Sequence, residues 1–119
     1  MENLKYIITG LLFLIVVKSF LPIKGIRQIS ITELKNELKN KNKQFIDVRT
    51  PSEYKSNSIR GFKNIPLHVL DSKINLLSKD KEIVVICQSG MRSKKASKKL
   101  KKHGFKQVTN VKGGMSLWK

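Results

Sequence analysis

With 119 residues the chain holds one small domain at most; its single cysteine cannot close an internal disulfide, and two histidines are too few for an ordinary zinc site. Lys and Arg number 25 against 8 Asp and Glu, a formal charge of +17 that favours anionic partners without choosing among substrate, acidic protein, lipid headgroup and nucleic acid. A lone thiol suits a reducing compartment, and neither a cofactor nor a metal is expected.

Residues 6–17 are almost wholly apolar, but 12 helical residues rise only about 18 Å, short of a hydrocarbon core about 30 Å thick. A helix over 4–23 reaches about 30 Å, with Lys5 and Lys18 snorkelling toward headgroups and Pro22 near its end. Residues 1–24 are therefore expected to form an uncleaved transmembrane anchor with its juxtamembrane segment. An interfacial helix and a cleaved signal peptide are the competing readings, and no Ala-x-Ala-like site supports the latter. Lys18, Lys24, Arg27 and Lys35 follow the apolar run and only Lys5 precedes it, which places the remaining domain in the cytoplasm at the cell membrane.

Residues 25–119 carry 22 Lys/Arg against 7 Asp/Glu and alternate β-rich runs with helical stretches, the pattern of an α/β domain with a mainly parallel central sheet flanked by helices. A short strand is predicted at 27–30, then a helix over 33–41 capped by Thr32, with Leu34 and Leu38 on one face. A strand over 44–48 precedes Thr50-Pro51-Ser52-Glu53, a capping box with proline in the first turn. A loop over 56–66 leads into a helix over 67–77 that turns Leu70, Ile74 and Leu77 to the core. Residues 82–86 (Glu-Ile-Val-Val-Ile) read as a strand buried on both faces. A helix over 93–103 ends at Gly104, a strand covers 107–111, and Gly113-Gly114 turns the chain toward Trp118.

Cys87 directly follows the buried strand, and Gln88-Ser89-Gly90-Met91-Arg92 links it to a helix. That order sets a thiol at the carboxyl end of a central strand and beside a helix N-terminus, where unpaired N–H groups favour an anion. Gly90 permits a left-handed turn that aims backbone N–H groups inward, and Arg92 adds a fixed positive charge; together they favour thiolate and an activated nucleophile.

Asp47-Val48-Arg49 with Pro51, Asn64-Ile65-Pro66-Leu67, residues 87–93 and Asn110-Val111-Lys112-Gly113-Gly114-Met115 before Trp118 stand in the order found in rhodanese-like domains. The chain resembles that family over nearly all of 26–118, and its N-terminal segment is similar to those of small single-domain members from low-GC bacteria. The resemblance implies helices around a five-stranded, mainly parallel sheet and a sulfurtransferase that moves sulfane sulfur from a donor to a thiol or cyanide through a Cys87 persulfide. It assigns Gln88, Ser89, Gly90, Met91 and Arg92 to the substrate-binding loop, and Asp47 with Arg49 to its support. Two departures stand out. Ser58 and Phe62 replace the histidine and alanine of a common family run, and Gln88 and Met91 are neutral where thiosulfate-using members often carry cations. Six residues from Cys87 to Arg92 is the sulfurtransferase length, whereas related phosphatases and arsenate reductases have one more.

A rhodanese-fold module that binds or senses sulfur at the membrane without turnover is the alternative function. Residues 92–106 hold eight Lys/Arg and no acid, either a solvated helix face or a docking surface for an acidic protein or anionic lipid. Nucleic acid is not expected, because no aromatic residues interleave the charge. His68 and His103 read as surface or capping residues.

Overall fold

The computed structural model describes residues 2–20 and 24–119. Helix α1 (Glu2–Phe20) precedes the strands β1 (Ile26–Ile29), β2 (Gln44–Asp47), β3 (Lys63–Asn64), β4 (Ile83–Ile86) and β5 (Val108–Val111). Helices α2 (Ile31–Glu37), α3 (Pro51–Ser56), α4 (Leu70–Lys73) and α5 (Met91–Lys102) lie between them. The five strands form one sheet in the order β1-β5-β4-β2-β3, and every pairing is parallel.

The sheet's two faces carry separate cores, and strand alternation sorts the residues between them. Ile83 and Val85 of β4 pack with Ile46, Leu70, Ile74, Ala96, Leu100 and Phe105 on one face. Val84 and Ile86 pack with Ile29, Leu34, Phe62, Val111 and Met115 on the other. All four residues of β4 are buried, as a parallel strand covered on both sides requires. Cys87 continues the parity of Ile83 and Val85, so it belongs to the face covered by α5. Helix α5 meets the sheet through Ser93, Ala96, Ser97 and Leu100, mostly small residues that let the helix backbone come close.

Three predicted elements differ. The cap of α2 is Ser30, two residues before Thr32: Ser30 Oγ accepts from the Glu33 N–H at 3.1 Å and Glu33 Oε1 accepts from the Ser30 N–H at 3.1 Å. A capping box needs Glu or Gln three positions on, which Ser30 has and Thr32 lacks. Residues 67–77 are not one helix; a 3-10 turn at Leu67–Val69, the short α4 and a second 3-10 turn at Ile74–Leu76 follow one another. The i, i+3 spacing of Leu67 with Leu70 and of Ile74 with Leu77 suits 3-10 geometry, which stacks such residues on one side. Strand β3 falls within the predicted loop and completes the five strands.

At the sheet's other end Arg27 bridges Glu37 at 2.5 Å and Glu82 at 3.0 Å, and Lys43 pairs with the same two carboxylates. This network ties α2 to the start of β4, and Arg27 foremost holds the Glu37 carboxyl below its ordinary range.

Helix α1 leaves large apolar side chains exposed, Leu11, Leu12, Phe13 and Leu14 among them. Among the described residues no helix is long and apolar enough to cross a membrane. Residues 21–23 and the Lys18 side chain, on which the longer predicted span drew, lie outside the described residues.

The two candidate caps of α2 give a direct test. Ser30→Ala should lower the stability of the protein by about 1 kcal/mol, while Thr32→Ala, at an exposed position, should stay within about 0.5 kcal/mol of wild type in urea unfolding.

Candidate functional site

The site is built where β2 and β4 end side by side. Asp47, the last residue of β2, is fully buried, and Arg49 two residues on is 2 % exposed. Asp47 Oδ1 accepts from the Arg49 backbone N–H and from Nε, each at 3.0 Å, while Oδ2 accepts from Nε at 3.0 Å and from Nη2 at 2.8 Å. The guanidinium also donates through Nη1 to Gln88 Oε1 at 3.2 Å and through Nη2 to the Asn57 carbonyl at 2.5 Å. Asn64 Nδ2 donates to the carbonyls of both Asp47 and Arg49 at 3.0 Å. A buried ion pair is tolerable when hydrogen bonds meet most of its other bonding capacity, and both carboxylate oxygens and all three guanidinium nitrogens are bonded here. The pair therefore braces β2, β3, the 57–59 turn and, through Gln88, the loop that follows β4.

Cys87 is fully buried at the head of that loop. The Gly90 N–H donates to Cys87 Sγ at 3.0 Å. The thiol lies 3.3 Å from Ser93 Oγ, which in turn donates to the Gly90 carbonyl at 3.1 Å. Gly90 has φ +105°, the left-handed turn expected of it, and caps α5. Thiol, glycine amide and serine hydroxyl thus close a small ring at the start of the helix.

The Gly113-Gly114 turn holds the loop from behind. Met115 N–H donates to the Cys87 carbonyl at 2.8 Å and Ser116 N–H to the Gln88 carbonyl at 2.9 Å. A Cβ on Gly114 would stand 2.1 Å from the Cys87 carbonyl oxygen, and Gly114 has φ +56°, so only glycine fits.

Arg92 faces Glu53 of α3. Its Nη1 donates to Glu53 Oε1 at 2.6 Å and its Nη2 to Oε2 at 2.9 Å, a two-pronged pair that is partly exposed. The bond to Glu53 foremost raises the Arg92 pKa, with smaller contributions from the charges of Cys87 and Asp47. Glu53 also accepts from the Thr50 N–H, as the predicted capping box requires, and its carboxyl is pulled down to about 2, chiefly by Arg92.

Of the residues singled out in the sequence, Cys87, Gln88, Gly90, Arg92, Asp47 and Arg49 converge here. Ser89 and Met91 lie on the exposed side of the loop. Ser58 is exposed on the far turn, and Phe62 is a core residue whose ring lies 5.3 Å from that of Phe45. His68 is exposed, and His103 caps the C-terminus of α5. Ser93, Glu53 and Gly114 carry more of the site than the sequence suggested. Glu53 was visible only as a cap, and nothing local signals its reach to Arg92, 39 positions away.

Residues 30–119 match the rhodanese-like domain family. Among curated proteins the chain is similar to the uncharacterized protein YqhL of Bacillus subtilis, 40 % identical over 75 residues, 63 % of this chain and 60 % of that relative, so it spans under two thirds of that protein. It is also similar to the putative sulfurtransferase YtwF of the same organism, 40 % identical over 94 residues, 78 % of this chain and 90 % of the relative. Among solved structures, a rhodanese-like domain protein from Staphylococcus aureus superposes with a TM-score of 0.73 at 34 % identity, covering 78 % of this chain and 91 % of that one. The chain belongs to the rhodanese-like domain family.

The Arg92–Glu53 pair generates a pH prediction. Because the folded Glu53 carboxyl titrates at about 2 against an ordinary 4.5, its contribution to stability is whole above pH 4.5 and is lost as pH falls toward 2. Glu53→Gln should therefore be less stable than wild type near neutral pH, and the difference should shrink over that window in urea unfolding. A difference that does not change with pH would show that the ion pair adds nothing beyond the cap.

Proposed function

We propose that this rhodanese-like domain is a sulfurtransferase in which Cys87 carries sulfane sulfur as a persulfide. The observation that carries the reading is the Gly90 N–H aimed at Cys87 Sγ at 3.0 Å, within the six-residue segment from Cys87 to Arg92, whose last two residues open α5. A backbone donor on the sulfur stabilises negative charge there, which both the attacking thiolate and the returning leaving group need. Relatives named as sulfurtransferases support the same reaction class.

In the first half-reaction the Cys87 thiolate attacks the outer sulfur of the donor. A new S–S bond forms at Sγ, the donor's own bond to that sulfur breaks, and its electron pair leaves with the donor remnant. In the second, an acceptor thiolate or cyanide attacks the outer sulfur, the bond to Sγ breaks, and the pair returns to Cys87 as thiolate. Asp47 and Arg49 serve as positioning residues that hold Gln88 and so the loop. The donor proposed is a persulfide rather than thiosulfate: Gln88 and Met91 bring no charge to the loop, and Arg92 is already occupied by Glu53.

Residues 1–24 are proposed as a single-pass anchor at the cell membrane with the domain on the cytoplasmic side. The exposed apolar side chains of α1 and the excess of Lys and Arg after it support this placement.

Mass spectrometry of the purified protein after incubation with a persulfide donor tests the reaction. Wild type should gain one sulfur atom and Cys87→Ser none; an unmodified wild type across several donors would leave the domain a binding or sensing module. For the placement, a cysteine tag appended after Lys119 should resist a membrane-impermeant maleimide in intact cells and react once the membrane is opened. Labelling of intact cells would overturn the cytoplasmic assignment.

A further inference from the structure

A groove of about 590 Å³ runs along α5, beginning at Arg92 beside the Cys87 loop and ending near Lys102. Its floor is apolar, formed by Val48, Pro66 and Leu67, and its wall is the cationic side of the helix. Two of the five cations lining it are already matched: Arg92 by Glu53 and Lys99 by Asp71, the latter at 2.8 Å. Lys95, Lys98 and Lys102 are exposed and make no ion pair among the described residues. They fall at i, i+3 and i+7, one stripe about 10 Å long that leads toward the loop.

From this arrangement we propose that the groove docks an acidic protein segment that brings the acceptor thiol to Cys87. The proposal deepens the sulfurtransferase reading and rests on it for the transfer step alone. Length decides against a small anion, because a single sulfane donor cannot touch three lysines spread over about 10 Å. An extended segment advances about 3.3 Å per residue, so about four of its residues span the same 10 Å as the lysine stripe and can set acids against it. Shape decides against a lipid surface, since a flat headgroup layer would meet the lysine tips but leave the floor of Val48, Pro66 and Leu67 unfilled. An aliphatic side chain between the acids would fill it. The step itself balances as above: the acceptor thiolate takes the outer sulfur, and the electron pair of the broken bond returns to Cys87 Sγ.

The test uses the full chain and a fluorescein-labelled peptide with one cysteine flanked by Asp and Glu, alongside the same peptide with Asn and Gln in their place. Fluorescence anisotropy should show the acidic peptide binding about tenfold or more tightly than the amide peptide, with affinity falling as salt rises. Lys95→Glu combined with Lys102→Glu should weaken the acidic peptide by about tenfold, a size expected from reversing two exposed charges. Equal binding of the two peptides, or no effect of the double substitution, overturns the proposal. So does wild-type binding to vesicles containing phosphatidylserine that depends on Lys95 and Lys102 and is not displaced by the acidic peptide. Sulfur transfer from wild-type Cys87 to dithiothreitol reports the loop separately. If Cys87 takes up no sulfur, the enzymatic reading fails while anisotropy still decides the groove; if dithiothreitol accepts sulfur but the peptides bind alike, only the docking proposal fails.

Discussion

The site depends on one buried ion pair. Asp47 and Arg49 stand two positions apart, yet their contacts reach four separate parts of the chain: β3 through Asn64, the turn at Asn57, the strand end itself and Gln88 in the loop after β4. Removing either partner would leave a charge buried without compensation, a loss of about 3–5 kcal/mol. The pair is thus both a structural fixture and the means by which β2 sets the position of a loop on β4. Since Asp47 pairs with Ile86 across the two strands, the brace acts one residue away from Cys87.

Strand alternation does the rest of the positioning. A one-residue slip of β4 would send Cys87 to the face of Ile29 and Leu34, away from Ser93 and the start of α5. Register is held from both sides, by β2 and by β5, and the unbroken apolar run of β4 makes both faces equally committed to burial. Small residues on α5 then bring the helix start close enough for Ser93 to meet the thiol. The Gly113-Gly114 turn closes the arrangement from the other side, with a glycine where a side chain would strike the Cys87 carbonyl.

What could be read from sequence was what local chemistry signals. The four apolar residues before Cys87, the Thr50–Glu53 box and Gly104 after a basic helix each have a short-range cause, and all appear where they were expected. Ser30 has Glu33 three positions on and Thr32 has Lys35, so the signal for the observed cap is present in the sequence itself. Strand β3 could not be read, because two residues carry no alternation and its pairing with β2 is a tertiary fact. The partners of Arg92 and Cys87 were hidden for a related reason: Arg92 suggested a free charge beside the thiol, and only the folded chain brings Glu53 to claim it. The order of a buried strand, a thiol, a glycine turn and a helix was legible, but the supports of the loop lie far away along the chain.

The same carboxylate has a consequence for what can approach the loop. Glu53 is a resident counter-ion, tethered by its cap and bound to Arg92 through both oxygens. An incoming anion does not find an empty cation; it meets a competitor that is always present at high local concentration. A lone carboxylate gains little by exchanging with its equal. Arg92 is therefore buffered against the abundant small acids around it, and yields only to a ligand whose charge is denser or whose hold elsewhere on the surface keeps it in place while the exchange occurs.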